Sequence, residues 1–186
     1  MPRTARLTRD DWAAAALDAL AEGGPSAVAV EPVAARLGAS KSSFYWLFEN
    51  RQALLEAALE RWEQVQTETV VAWVNKIADP AERLRRLVHH AFAAPGAGDL
   101  TLRLLTASDE PAVRSVVARV TRRRLDVIEA AFAELGHPPD LARHYAMIGY
   151  SAYLGAAALR RVDISPEDTH AYVDAVLAPF GVPPAG

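Results

Sequence analysis

The chain has 186 residues, 51% of them hydrophobic, and a formal net charge of −3 at neutral pH. Such an apolar fraction excludes a disordered chain, and the near-neutral balance confines any nucleic-acid surface to a local patch. Cysteine is absent, which removes disulfides, thiolate metal sites and thiol redox sensing together.

Helix punctuation divides the chain, and nothing alternates as a strand does. Thr8 with Asp11 three residues later reads as a capping box, and Gly23-Gly24-Pro25 stops the helix that follows. A short helix over about 32–37 ends at Gly38, and Ser40 caps a second over 41–48. A long helix over 51–77 carries Leu55, Leu59, Trp62, Val70, Trp73 and Ile77 near helical spacing. Asp79-Pro80 opens the next, which the Pro- and Gly-containing stretch 94–98 breaks before a short segment over 99–107. Ser108-Asp109-Glu110-Pro111 opens a longer helix with Val113, Val117, Val120, Val127, Ile128 and Phe132 on one side. A helix over 140–161 contains the uncharged run 145–159, which is too short for a bilayer span of about 20 residues and reads as buried on most sides. Ser165-Pro166-Glu167-Asp168 reads as a capping box for a last helix ending near Pro179. The expected fold class is all-α, with about nine helices.

The stretch from Val30 to Phe48 has the pattern of a helix-turn-helix. Ala34 is the small residue where two helices cross, Gly38 permits a left-handed turn, and Val33, Leu37, Ala39, Phe44 and Leu47 fall at gluing positions. With Phe44 and Phe48 on the core face, the other face presents Ser42, Ser43, Tyr45 and Trp46, with Lys41 and the capping Ser40 at its start. Such a face suits the major groove, where short hydroxyls reach base edges and the helix N-terminus favours phosphate.

Residues 38–55, GASKSSFYWLFENRQALL, resemble the signature of the tetracycline-repressor (TetR) family of bacterial regulators, within a resemblance that spans about 8–59. The resemblance implies a homodimer, an N-terminal helix-turn-helix domain over 1–51, and an effector-binding and dimerisation domain over 52–186. It also implies release from double-stranded DNA, at a near-palindromic operator, when a small effector binds. Lys41, Ser42, Ser43, Tyr45 and Trp46 are then the groove and phosphate contacts. Four positions depart from the family pattern. Ala29 replaces the usual Thr or Ser cap, Glu31 stands where a basic residue is common, Leu47 replaces a histidine and Glu49 a lysine. Residues 1–51 carry almost no net charge, a meagre supply for neutralising phosphates, although Arg3 and Arg6 could reach DNA as part of an arm. A different class of function therefore stays open: a ligand-binding or scaffold protein that keeps the fold without tight DNA binding.

Beyond residue 59, Trp62, Trp73, Phe92, Leu105, Met147 and Tyr150 are candidates to line an apolar effector cavity, or else simple core. Ser151 and Gly155, with Val173, Val176 and Leu177 of the last helix, are candidates for a four-helix dimer interface. Arg122-Arg123-Arg124 reads as a solvated face, with a basic patch for a ligand carboxylate as the lesser alternative. His89 and His90 are adjacent and point apart, so no metal site is expected. No cofactor, membrane association or enzymatic activity is expected, and the cytoplasm is the expected location.

Overall fold

In the computed structural model, residues 7–93, 97–107 and 109–184 are described, and among them all regular structure is helical. The segments are α1 (Arg9–Gly23), α2 (Val30–Arg36), α3 (Lys41–Tyr45), α4 (Arg51–Glu63), α5 (Thr69–Val74), α6 (Pro80–Ala93), α7 (Ala97–Thr106), α8 (Pro111–Glu134), α9 (Pro139–Arg160) and α10 (Thr169–Leu177).

Side-chain caps set the starts of several of these helices. Thr8 accepts a hydrogen bond from the Asp11 backbone while the Asp11 carboxylate accepts from Thr8, forming the expected capping box. Asn50 caps α4 through a 2.9 Å bond from the Ala53 N–H, and the Asp79 carboxylate caps α6. The cap of α10 differs from the sequence expectation. Asp168, not Ser165, accepts from the backbones of His170 and Ala171, so the helix begins later and Ser165 lies outside it. The Arg-Gln-Ala run after Asn50 does continue far beyond α4, but not as uninterrupted α-helix. Residues Gln64–Glu68 form a π-helical turn between α4 and α5, and the three together make one rod. Counted that way, the described residues hold nine helical rods. Gly98 proves to lie inside α7 and not in a breaker. A Cβ there would come within 2.7 Å of the Ala157 Cβ, so glycine lets α7 and α9 pack closely. Ser108 and residues 94–96, also read as punctuation, lie outside the described residues.

Three apolar clusters hold the fold, the smallest of them formed by Val71, Val74 and Val127. The first joins Trp12, Leu20, Phe44, Leu55, Leu59 and Trp62 to Leu100, Leu104, Val113 and Val117. It therefore continues without a break from α1–α3 through α4 onto α7 and α8. The second gathers Leu84, Phe132, Ala142, Val173 and Leu177 from α6, α8, α9 and α10, with Phe180 from the 3-10 turn that follows α10. The α4–α5 rod runs from the first cluster to the third, where Val71 and Val74 of α5 meet Val127 of α8 and Leu87 of α6. Polar links reinforce the junction: Arg119 of α8 bonds Glu63 of α4, and Arg61 of α4 pairs with Asp10 of α1.

Among the described residues no helix is long and apolar enough to cross a membrane. Nor is α9 buried on most sides, as its composition suggested. Ala142, Ala146, Tyr150, Tyr153 and Ala157 face inward against α7 and α8, while Leu141, Met147, Ile148, Ser151, Gly155 and Leu159 face out.

Candidate DNA interface and ligand cavity

The turn between α2 and α3 is built around Gly38, whose φ of 60° lies in the left-handed region that residues with a Cβ rarely adopt. The Ala39 N–H then reaches back to the Ala34 carbonyl at 2.9 Å, and Val33 and Ala34 are buried at the crossing. Phe44 anchors α3: it is fully buried, with its ring centroid 5.4 Å from those of both Trp12 and Phe48. Because Phe44 and Phe48 face inward, their neighbours are driven outward. Tyr45 is 61% exposed, its ring edge-on to Phe44 with centroids 5.0 Å apart, and Trp46 is 79% exposed, so the two leave a large apolar surface to solvent.

The hydroxyls of this helix are partly committed to one another. Ser40 caps α3 by accepting from the Ser43 N–H, the Ser43 hydroxyl donates to the Ser40 carbonyl at 2.6 Å, and Ser42 sits 2.8 Å from the Ser40 hydroxyl. Lys41 and Ser42 are exposed. Lys41 is ion-paired with Glu31, and that bond raises the lysine pKa and lowers the glutamate's. The neighbouring cations are engaged too. Arg9 donates to the Leu47 carbonyl and stacks 4.6 Å from the Phe48 ring, Arg36 pairs with Glu22, and Arg51 donates to the Pro25 carbonyl. Thus each of the four basic residues described between 7 and 51 already has a partner inside the protomer. Arg3 and Arg6, considered as arm residues, lie outside the described residues.

A second feature lies at the other end of the rod. A cavity of about 370 Å³, partly open to solvent, is lined by the π turn and α5, α6, α8, α9 and α10. Aliphatic side chains such as Val70, Leu87, Val88, Val127 and Ile128 make most of its wall, with Phe92, Phe132 and Tyr150. Of the residues singled out from sequence, Phe92 and Tyr150 line this cavity and the other four do not. Trp62 is fully buried under the Arg124 guanidinium, Leu105 packs on the first cluster, Trp73 lies against His90 with ring centroids 5.6 Å apart, and Met147 is 51% exposed on the outer side of α9.

Of the polar part of the wall, the sequence offered Arg124 only as the lesser alternative for its arginine run, a basic patch for a ligand carboxylate, and did not offer Gln66 or Thr67. Gln66 and Thr67 reach it because the π turn shifts the helix register, and Arg124 projects from α8. A signal for Arg124 existed: it stands at the apolar spacing between Val120 and Val127, where a charge is out of place on a buried stripe. Arg124 is therefore not part of a solvated face. Its Nε donates to the Thr67 hydroxyl at 3.0 Å, Nη1 to the Thr101 hydroxyl at 3.1 Å, and Nη2 to the Gln66 carbonyl at 3.3 Å.

For the interface candidates, Ser151 and Gly155 lie on the outward side of α9 and Val176 on the cavity wall. Val173 and Leu177 are buried in the second cluster, facing away from solvent. The outward side of α10 instead carries His170, Ala171, Ala175 and Ala178. His89 of α6 and His170 of α10 approach with ring centroids 4.3 Å apart, and among the described residues no group of three or more metal-binding side chains assembles.

The family model for bacterial regulatory proteins of the tetR family matches residues 13–58, which span most of α1 through α4. Among curated proteins no significant match is found. Solved structures match over almost the whole chain. A transcriptional regulator from Streptomyces coelicolor A3(2) is 26% identical, covering 91% of this chain and 96% of its own, with a TM-score of 0.66. A regulator assigned to the TetR family from Rhodococcus sp. is 22% identical, covering 94% and 97%, with a TM-score of 0.69. A transcriptional regulator from Saccharomonospora viridis, in complex with choline, is 20% identical, covering 91% and 93%, with a TM-score of 0.74.

Proposed function

We propose that the chain is a regulator of the TetR family, whose model matches its N-terminal helices, and that it is a homodimeric transcription repressor released from a near-palindromic operator by a small effector. The observation that carries this reading is the α3 surface: two adjacent large aromatics, Tyr45 and Trp46, held out to solvent by the buried Phe44 between α2 and the rest of the first cluster. In this reading α3 enters the major groove, Tyr45 and Trp46 contact bases or sugar, and Ser40, Lys41, Ser42 and Ser43 meet phosphates or base edges. Residues 1–51 act as the DNA-binding unit and 52–186 as the effector and dimerisation unit, with α4 belonging physically to both. Such a regulator acts in the cytoplasm, on double-stranded DNA, and performs no catalysis.

Two copies would associate through the outward sides of α9 and α10, where Ile148, Ser151, Gly155 and Leu159 present small and apolar surface. An effector in the cavity would press on Gln66 and Thr67 of the π turn and so on α4, altering how the two copies of α3 are spaced. Only a ligand that binds one spacing better than the other can shift that equilibrium. The Saccharomonospora regulator's choline complex supports a small-molecule role for such a chain, although choline is a cation and this cavity wall carries an arginine.

A second reading is favoured by one observation, the internal pairing of Arg9, Arg36, Lys41 and Arg51: a ligand-binding protein with weak or lost specific DNA binding. Selection of bound sequences from a random DNA pool at low salt, followed by a salt titration, separates the two. Enrichment of a near-palindrome supports the repressor. A folded dimer that enriches nothing supports the second reading.

A further inference from the structure

Arg124 is a guanidinium on a cavity wall with no carboxylate paired to it among the described residues. Its three hydrogen-bond acceptors, Thr67, Thr101 and the Gln66 carbonyl, are neutral, and no ion pair to it forms among the described residues. Arg83 and Arg85, also drawn in from solvent, are by contrast paired with Glu134 and Glu82. A partly buried charge without a counter-charge is costly. A guanidinium has five N–H donors, and those three bonds leave two N–H groups without an acceptor among the described residues.

A second, independent observation points into the same space. Tyr150 is only 6% exposed and lines the cavity, yet its buried hydroxyl has no hydrogen-bond partner among the described residues. Buried hydroxyls are ordinarily satisfied, and one left open in a ligand-sized cavity indicates an absent acceptor. Tyr153 links the two groups. Its ring centroid is 5.9 Å from that of Tyr150, and its hydroxyl shares Thr101 with Arg124.

We propose that the effector is an apolar carboxylate, its head held by Arg124 and the Tyr150 hydroxyl and its body lying along the aliphatic wall formed by Val70, Leu87, Val88 and Val127. This rests on the reading of the cavity as the effector site. The number of donors decides the class. The two open N–H groups of Arg124, plus the Tyr150 hydroxyl, match the two oxygens of a monoanion, because guanidinium and carboxylate are planar and complementary, and His90 is the one other basic side chain on the wall among the described residues. No Asp or Glu lines the cavity among the described residues, so nothing there repels such a head group or selects a cation. The remaining wall is suited to hydrocarbon, which excludes a multiply charged ligand.

The test is calorimetric titration of the full chain with octanoate, decanoate and phenylbutyrate, each set against its primary alcohol. At least one acid is expected to bind about tenfold more tightly than its alcohol. Arg124→Gln should bring that acid down to the level of the alcohol, and Tyr150→Phe should weaken it severalfold, each substitution costing the acid more than its alcohol. Because Arg124 also ties α8 to the π turn, its variant could fold poorly; Tyr150→Phe removes a hydroxyl without a hydrogen-bond partner among the described residues and keeps the test decisive. Alcohols binding as well as acids, or an acid indifferent to both substitutions, would overturn the carboxylate and leave the cavity standing as the effector site. If every acid and alcohol fails to bind, the carboxylate and the cavity reading fall together. Binding of an acid that survives a cavity-filling Ala91→Trp also overturns the proposal, by placing the ligand elsewhere.

Discussion

Lys41, at the first position of α3, is ion-paired with Glu31, in the first turn of α2, so the one lysine of the motif is neutralised from within it. Both side chains are exposed, and the pair competes directly with a phosphate for the lysine. Glu31→Gln should therefore release Lys41 to DNA. Operator affinity measured by fluorescence anisotropy is expected to rise severalfold, and the salt dependence to steepen by about one counterion. An unchanged slope would mean that Lys41 does not reach phosphate.

Tyr45 and Trp46 contribute little to the protomer, because most of each side chain is in solvent. Replacing either with Ala should leave thermal stability within about 0.5 kcal/mol of the parent while lowering specific DNA affinity by about tenfold or more. Affinity retained after both replacements would remove α3 as the reading helix.

Phe44 gives the opposite expectation. It is fully buried against Trp12 and Phe48, so Phe44→Ala should cost about 3–5 kcal/mol. Urea denaturation followed by circular dichroism would show it, and a loss below 1 kcal/mol or so would mean that the first cluster closes over the gap.

Gly155 distinguishes association from folding. A Cβ at this position meets no atom within 4 Å in the protomer, and glycine is a poor helix former. Gly155→Glu should thus keep or slightly raise protomer helicity while placing a charge on the proposed dimer surface. Sedimentation is expected to report a monomer; an unchanged mass would put the interface elsewhere.

His89 supplies a pH dependence. Burial, and then the neighbouring His170, lower its pKa from the ordinary 6.5, so the unfolded chain binds this proton more readily than the folded one. The sign follows: its contribution is fully present above pH 6.5 and is lost as pH falls through the lowered folded value. The urea midpoint should decline across that window less steeply in His89→Gln than in the parent. Identical profiles would show that His89 is not responsible.

The sequence by itself determined the helices and the helix-turn-helix, because those features depend on residues a few positions apart. Thr8 and Asp11 cap each other within one turn, Gly38 must take its left-handed conformation wherever the chain goes, and Phe44 and Phe48 share a face by helical geometry alone. The Asp168 cap was less legible because Ser165, Pro166 and Glu167 imitate the same local pattern, and only the path of the backbone chooses among them. Tertiary structure alone decided the cavity. Arg124 finds Thr67 and Thr101 at sequence separations of 57 and 23 residues, and a π turn sets the register of Thr67. The same holds for α10, where Val173 and Leu177 are apolar at helical spacing whether they face a partner or their own core. Periodicity states that a helix has an apolar side; only packing among distant helices states what that side covers, and where it leaves a charged group facing empty space.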